Sequence, residues 1–131
     1  MIVLDGSALF AIMLGEPDAE RCQKAIERAD ELLLSAASLT EILVVATRKG
    51  ILARARSFVE RLDPKVVPLT HDRALAAGAA FERWGHRQDR AGLNYGDSFA
   101  YALAKEFDCP LLFIGNDFSL TDIRPALEPR D

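Results

Sequence analysis

Histidine and cysteine are scarce in this chain, which has two of each among its 131 residues. Cys22 and Cys109 stand far apart, with no C-x-x-C pair and no second pair that would complete a four-ligand zinc site. We therefore expect two reduced, buried thiols in a cytoplasmic protein, and neither a disulfide framework nor a zinc centre.

An excess of basic residues is also missing, since the formal net charge is −4. A protein that holds nucleic acid by bulk electrostatics would be strongly basic. A nucleic-acid substrate would therefore need a local basic rim, or metal ions that offset the acids.

Long apolar runs are missing too, because no segment approaches the roughly 20 residues that span a bilayer. The first residues lack a positive n-region and include Asp5, so we expect no secretory signal and no membrane partner.

The chain is the size of one compact domain, and half of its residues are hydrophobic. A chain of this length buries roughly two-thirds of its unfolded surface, so we expect a single domain over residues 1–131. Short apolar segments alternate with longer amphipathic ones, which predicts an α/β fold with a central, mainly parallel sheet covered by helices on both faces. The predicted strands are Ile2–Leu4, Leu32–Ser35, Val66–Val67 and Leu111–Ile114.

The intervening segments predict helices whose ends carry local signals. Ser38-Leu39-Thr40-Glu41 has the spacing of a capping box before a helix that runs to Arg48. Further helices are predicted at residues 7–14, 19–29 and about 51–62, from Thr70 or His71 to Trp84-Gly85, and from Asp97 to about 107. In open parallel sheets, ligands bind beyond the carboxyl ends of the strands.

Four acids are predicted at that edge of the sheet. Asp5 ends the first strand, Asp117 follows the last strand, and Glu41 and Asp97 belong to first helical turns. A carboxylate at the end of a buried element is costly unless something compensates its charge. The recurrence of this arrangement in separate segments suggests one metal site.

Each acid also has a simpler interpretation. Glu41 can be the partner of Ser38 in a capping box, and Asp97 can favour the positive end of its helix with Asn94 as the cap. Asp5 is harder to explain in this way, because Asp is a poor strand former and no cation lies beside it in sequence.

The segments around these acids resemble the PIN-domain ribonucleases, and most closely the VapC-type toxins of bacterial toxin–antitoxin pairs. The resemblance covers nearly the whole chain and is most specific in Leu93-Asn-Tyr-Gly-Asp97-Ser-Phe-Ala-Tyr-Ala-Leu-Ala104. It implies a PIN-like three-layer α/β/α sandwich and a metal-dependent endoribonuclease that acts on RNA. A cognate antitoxin protein and a homodimer are implied in the same way.

The resemblance also implies that the acids bind Mg²⁺ or Mn²⁺ and carry catalysis. The candidate catalytic and metal-binding residues are Asp5, Glu41, Asp97 and Asp117. Two departures from the family pattern stand out. Gly6 replaces the usual hydroxyl residue after the first Asp, which leaves Ser7 as the nearest hydroxyl. The last motif reads Gly115-Asn116-Asp117, so Asn116 and Asp122 are rivals to Asp117 as the fourth ligand.

The chemistry of the ligands agrees with this implication, because carboxylates without clustered His or Cys suit hard, oxygen-seeking Mg²⁺ or Mn²⁺.

A basic loop supplies a possible RNA rim at Arg83, Arg87 and Arg90. Its alternative is a solvated surface, which is the commoner meaning of a charge run.

Two other functions compete with a ribonuclease. An aspartyl-phosphate enzyme would also use an Asp at the end of the first strand, but it typically needs a second Asp two residues on, where this chain has Ser7. A catalytically silent binding module would keep the fold alone. The intact set of Asp5, Glu41 and Asp97 argues against that module.

Overall fold

The computed structural model describes residues 1–128 and contains four strands and six helices in that range. The strands are β1 (Ile2–Leu4), β2 (Leu32–Ser35), β3 (Lys65–Val67) and β4 (Leu111–Leu112). The helices are α1 (Gly6–Met13), α2 (Ala19–Arg28), α3 (Ala36–Arg48), α4 (Leu52–Leu62), α5 (His71–Trp84) and α6 (Tyr95–Glu106). Within residues 1–128, no helix has the length and apolar character needed to cross a membrane.

The strands form one parallel sheet in the order β3-β2-β1-β4. Val3 of β1 lies at the centre, paired with Leu33 of β2 on one side and with Leu111 of β4 on the other. This arrangement confirms the predicted α/β class. Because all strands run the same way, their carboxyl ends meet at one edge of the sheet, and residues that follow β1 and β4 emerge side by side.

Alternate strand residues supply two separate hydrophobic cores. Val3, Leu33 and Leu111 belong to a core that also contains residues of α5 and α6. Leu4 and Leu34 belong to a second core, which contains residues of α1, α2, α3 and α4. Successive side chains of a strand point to opposite faces, so the two cores lie on opposite faces of the sheet. The predicted three-layer α/β/α sandwich is confirmed.

One predicted helix start was wrong. Ser35, the last residue of β2, is the N-cap of α3, and its hydroxyl accepts a hydrogen bond from the Ala37 backbone N–H at 3.2 Å. Ser38 is therefore inside the helix and does not form the predicted capping box with Glu41. Its buried hydroxyl has no hydrogen-bond partner within residues 1–128. The strand passes directly into the helix, so the earlier of two suitable serines becomes the cap.

The last strand is shorter than predicted. β4 ends at Leu112 because its partner β1 ends at Leu4, which pairs with Leu112. Beyond that point the chain is held by a side chain, since the Ile114 backbone N–H donates to the Ser7 hydroxyl oxygen at 3.0 Å. Both cysteines are buried and free, as expected from their isolation in the sequence.

Candidate metal-dependent active site

Asp5 lies at the carboxyl end of β1, where the chain turns directly into α1. It is the N-cap of α1, and its Oδ2 accepts hydrogen bonds from the Ser7 backbone N–H at 3.1 Å and from the Ser7 hydroxyl at 2.5 Å. Burial raises the pKa of Asp5, the bonds from Ser7 oppose that shift, and the negative charge of Asp117 adds to it. Ser7 therefore fixes the carboxylate of Asp5 and, through Ile114, joins it to the segment after β4.

Asp97 is the third residue of α6 and is 6% exposed. Its backbone N–H donates to Asn94 Oδ1 at 2.8 Å, and its Oδ2 accepts from the Asn94 backbone N–H at 3.0 Å. This is a complete capping box, so the simpler interpretation of Asp97 describes its backbone role correctly. The capping bonds engage only Oδ2, which leaves Oδ1 available for a second role.

The pKa of Asp97 is raised to about 7. Burial is the largest cause, because it disfavours the charged form. The hydrogen bond from Asn94 lowers the pKa, while the charges of Asp5, Asp117 and Glu41 each raise it. The three other predicted acids are therefore close enough to Asp97 to act on it electrostatically.

Glu41 reaches this cluster from the second turn of α3. The residue as a whole is exposed, but its carboxylate lies against the backbone of Gly96 in α6. A methyl group added at Gly96 would stand 1.8 Å from Glu41 Oε2, so only glycine leaves room for this contact. The resulting desolvation, followed by the charge of Asp5, raises the pKa of Glu41. No local sequence pattern predicts this contact, because it joins two helices that are far apart along the chain.

Asp117 is exposed in the turn that follows β4. Buried Phe118 anchors the turn, with its ring centroid 5.0 Å from that of Phe113. The Asn116 carbonyl oxygen accepts hydrogen bonds from the Ser119 backbone N–H at 3.2 Å and from the Ser119 hydroxyl at 2.8 Å. Asp117 is thus held beside the cluster, and it contributes to the raised pKa values of Asp5 and Asp97.

Asp122 belongs to a different network. Its Oδ1 accepts a hydrogen bond from the Tyr101 hydroxyl, and its Oδ2 lies 3.1 Å from Lys105 Nζ. Tyr101 in turn accepts from Trp84 Nε1 at 2.9 Å. The bond from Tyr101, followed by the contact with Lys105, lowers the pKa of Asp122. These partners stabilise its charge, so Asp122 is the weaker of the rivals for the fourth position.

The four acids have no basic partner within residues 1–128, where the ion pairs involve other carboxylates. Like charges are therefore gathered without a balancing cation among the described residues, in a site whose donors are all carboxylate oxygens. Such a donor set fits a hard divalent cation. As they stand, however, no three acidic, His or Cys side chains of residues 1–128 converge closely enough to hold one ion. Coordination would require the carboxylates to turn towards a common point.

The three arginines of the possible RNA rim are all exposed. The guanidinium carbon of Arg83 lies 4.4 Å from the centroid of the Trp84 ring. Arg87 has a positive φ of 70° in a loop that is closed by a hydrogen bond of 2.7 Å from the His86 backbone N–H to the Leu93 carbonyl. None of the three forms an ion pair within residues 1–128, so their charges face solvent.

The model of the PIN domain matches residues 2–123. The chain therefore belongs to the PIN-domain family, as its motifs predicted.

Relatives within that family are named as ribonucleases of the VapC type. Ribonuclease VapC30 of Mycobacterium tuberculosis is 43% identical over 131 residues, which cover 98% of this chain and 100% of the relative. Ribonuclease VapC of Mycolicibacterium smegmatis is 41% identical over 125 residues, which cover 93% of this chain and 97% of the relative. At this level of identity the chain belongs to the VapC-type ribonucleases.

Solved structures support the fold. Mycobacterium tuberculosis VapC20, described as a toxin that cleaves the sarcin–ricin loop, gives a TM-score of 0.73 at 20% identity and covers 95% of this chain and 100% of its own. A toxin–antitoxin complex from Klebsiella pneumoniae gives a TM-score of 0.71 at 17% identity, with 93% of each chain covered. These likenesses concern the fold alone.

Proposed function

We propose that the chain is a Mg²⁺- or Mn²⁺-dependent endoribonuclease in which Asp5, Glu41, Asp97 and Asp117 hold the metal and carry catalysis. The observation that supports this most strongly is the gathering of four carboxylates without a basic partner, where burial first, and then the charges of the other three acids, raise the pKa of Asp97 to about 7. A cluster of like charges without a basic partner is costly for a folded protein unless a cation binds there.

The protein side chains divide the work according to their surroundings. Asp5 is fixed by Ser7, and Asp97 is fixed through Oδ2 by Asn94, so both present an oriented carboxylate to the site. In the metal-free protein Asp97 exchanges its proton near neutrality, and a bound cation would lower that pKa and keep the carboxylate ionised as a ligand. A divalent ion would stabilise charge on the scissile phosphodiester and lower the pKa of a bound water.

The biological role proposed here is growth inhibition by RNA cleavage, with a small cognate antitoxin protein as the neutralising partner. The named VapC relatives and the fold likeness to a toxin–antitoxin complex support this proposal. We further infer a cytoplasmic location, a homodimer, and one domain over residues 1–131. Arg83, Arg87 and Arg90 are proposed to contact RNA phosphates, because their exposed charges have no ion-pair partner within residues 1–128.

Cleavage of total cellular RNA with Mg²⁺, Mn²⁺ or EDTA tests the metal dependence. We expect cleavage with either metal and none with EDTA. Titration calorimetry with Mn²⁺ provides a second readout that does not depend on turnover. The Asp117→Asn variant should bind Mn²⁺ more weakly than the parent protein, whereas Asp122→Asn should bind it equally well. Undiminished cleavage in EDTA would refute the metal dependence, and the opposite order of the two variants would make Asp122 the fourth ligand.

Expression of the parent chain in a bacterial host tests the toxin role. Growth arrest is expected, and Asp97→Asn should remove it while the protein stays soluble. The matched control is Asp72→Asn, which changes an exposed acid in the first turn of α5. Equal toxicity of Asp97→Asn at an equal soluble level would contradict the site assignment.

A further inference from the structure

Tyr95 stands out among the aromatic residues because its side chain is exposed. All of the aromatic residues lie within residues 1–128, and every other one is buried or half-buried. The exposed fraction of Tyr95 is 78%. An aromatic ring in this setting contributes little to the core, and burial against its neighbours does not explain its presence at the start of α6.

The Tyr95 ring is nevertheless held in place. Its centroid lies 5.0 Å from that of Phe99, one turn further along α6, and the two ring planes are perpendicular at 89°. This edge-to-face geometry is a favourable one for two aromatic rings. Phe99 itself is half-buried, so it supports Tyr95 from the protein side and leaves ring surface open to solvent.

The position of Tyr95 places it next to the acids. It precedes Gly96, whose backbone touches the Glu41 carboxylate, and it lies two residues before Asp97. A groove runs from this point between α3 and α6. Its lining includes Glu41, Val44, Arg48, Leu69, Tyr95 and Phe99.

The chemistry of this groove matches an unpaired nucleotide. The exposed ring of Tyr95 and the exposed aliphatic side chains of Val44 and Leu69 offer an apolar surface to the face of a base. Arg48 offers a positive charge to a phosphate. Single-stranded and looped RNA is commonly recognised by stacking of splayed bases on aromatic side chains. An RNA strand whose scissile phosphate lies at the acids must extend along a neighbouring surface, and this groove opens directly beside Glu41.

We propose that Tyr95, supported by Phe99, stacks on an unpaired base of the RNA that flanks the scissile phosphate, with Arg48 contacting a phosphate further along the groove. This inference rests on the proposed ribonuclease function and identifies the part of the substrate that the groove binds, an unpaired base beside the scissile phosphate. Tyr95 is thus a substrate-binding residue, and its stacking contact favours single-stranded or looped RNA over a continuous duplex.

Single-turnover cleavage with protein in excess tests the contact. The probe is a pool of RNA hairpins with randomised loops that contain 5-iodouridine. We expect Tyr95→Ala to raise the half-saturating protein concentration about tenfold, the scale of one lost stacking contact, with a smaller effect on the maximal rate. Tyr95→Phe keeps the aromatic face and should resemble the parent protein. Leu75→Ala removes another exposed apolar side chain, 61% exposed and outside the groove, and should change nothing.

Ultraviolet crosslinking of the same pool supplies the direct readout. Mass spectrometry should find the iodouridine crosslink on the peptide that contains Tyr95, and Tyr95→Ala should lose it. If the parent protein cleaves RNA but Tyr95→Ala saturates like the parent and no crosslink forms there, this inference fails while the ribonuclease function stands. A parent protein that cleaves no RNA with Mg²⁺ or Mn²⁺ would instead refute the proposed function.

Light scattering separates RNA from a protein occupant of the groove. If Tyr95→Ala leaves RNA saturation unchanged and shifts the protein to a smaller oligomer, the groove is an interface between copies of the chain. That outcome would overturn the stacking proposal. An unchanged oligomer together with weaker RNA saturation would support it.

Discussion

At the scale of single residues, Asp97 combines two roles that sequence analysis weighs against each other. It completes the capping box with Asn94 through Oδ2, and it takes part in the electrostatics of the acidic cluster. One carboxylate has two oxygens, so capping does not exclude a role in the site. A correct structural explanation for a residue therefore leaves its functional explanation open.

The positions of the acids at the ends of strands and helices were easier to predict from the sequence than their contacts with distant segments. Asp5 directly follows a strand, and Asp97 lies three residues after the cap Asn94, so both positions can be derived from short-range signals. The contact of Glu41 with Gly96 and the bond of Asp122 to Tyr101 join distant segments. Such contacts depend on how helices pack on the sheet, which no local pattern specifies.

The Gly96 contact leads to a prediction about activity. Gly96→Ala places a methyl group where the Glu41 carboxylate now lies, so the carboxylate must move. The fold should tolerate this change, because the displaced atoms are the end of a flexible side chain. RNA cleavage should fall by up to about 100-fold, the scale associated with a misplacement of about 1 Å at a reacting centre. Initial cleavage rates and melting curves of the variant and the parent measure both effects.

Gly78→Ala is the matched control, since it adds the same methyl group in α5 where no atom lies within 4 Å. It should retain full activity and stabilise the protein by roughly 0.5–1 kcal/mol. Parental activity of Gly96→Ala would mean that turnover does not depend on where the Glu41 carboxylate stands.

At the scale of elements, most boundaries were predictable, because apolar periodicity and capping residues are local. The bounds of α5, for example, agree with the prediction of a helix that begins at Thr70 or His71 and reaches Trp84-Gly85. The errors occurred where two local signals compete or where a partner strand sets the length. Ser35 and Ser38 are both suitable caps, and β4 ends early because β1 offers it no further partner.

Because Ser35 caps α3 and Ser38 does not, replacement by Ala should change the stability of the protein differently at the two positions. Ser35→Ala removes the hydroxyl that caps α3 and should lower the free energy of unfolding by about 1 kcal/mol. Ser38→Ala removes a buried hydroxyl that has no partner within residues 1–128, so it should be neutral or stabilising. Urea unfolding of both variants measures the difference. A larger loss from Ser38→Ala than from Ser35→Ala would contradict the observed start of α3.

The loop between α5 and α6 carries its own prediction. If Arg87 and Arg90 contact RNA phosphates, replacing both with Gln should weaken RNA binding and reduce its dependence on salt. Each lost contact should lower the slope of log K against log salt concentration by about 0.7 for a single strand. Arg28 and Arg56 are exposed on α2 and α4, and their replacement with Gln is the control. An unchanged slope in the loop variant would identify the loop as a solvated surface.

At the scale of the whole molecule, the parallel sheet explains why distant acids share one environment. Two cores hold helices on both faces of the sheet, and the segments that leave β1 and β4 meet at its carboxyl edge. The fold thereby forces Asp5 and Asp117 towards the same region, while α3 and α6 bring Glu41 and Asp97. Stability and function are in conflict at this edge, because the charges suited to a cation repel one another without it.

This conflict predicts how stability depends on pH. The pKa of Asp97 is about 7 in the folded protein, against an ordinary value of 3.8 that applies to the unfolded chain. The folded state therefore binds the proton more tightly, so the stabilising effect of protonation is complete below about pH 4 and is lost as the pH rises through 7. In EDTA, the melting temperature of the parent protein should fall as the pH rises from about 4 to about 7 and should change little above that. The contribution of one proton to this slope is at most about 1.4 kcal/mol per pH unit.

Asp97→Asn separates this charge effect from capping, because the amide oxygen can still accept the hydrogen bond from Asn94. In EDTA at pH 8 the variant should melt at a higher temperature than the parent, and its melting temperature should depend less on pH. Mg²⁺ or Mn²⁺ should stabilise the parent by about 2.7 kcal/mol at a hundredfold excess over the dissociation constant, and should stabilise Asp97→Asn less. Asp72→Asn, whose side chain is 98% exposed, should behave like the parent in both respects. If the acids were independent helix caps, neither metal nor the loss of the Asp97 charge would raise the melting temperature. Differential scanning calorimetry of the three proteins at pH 5 and at pH 8, with EDTA and with metal, distinguishes these outcomes.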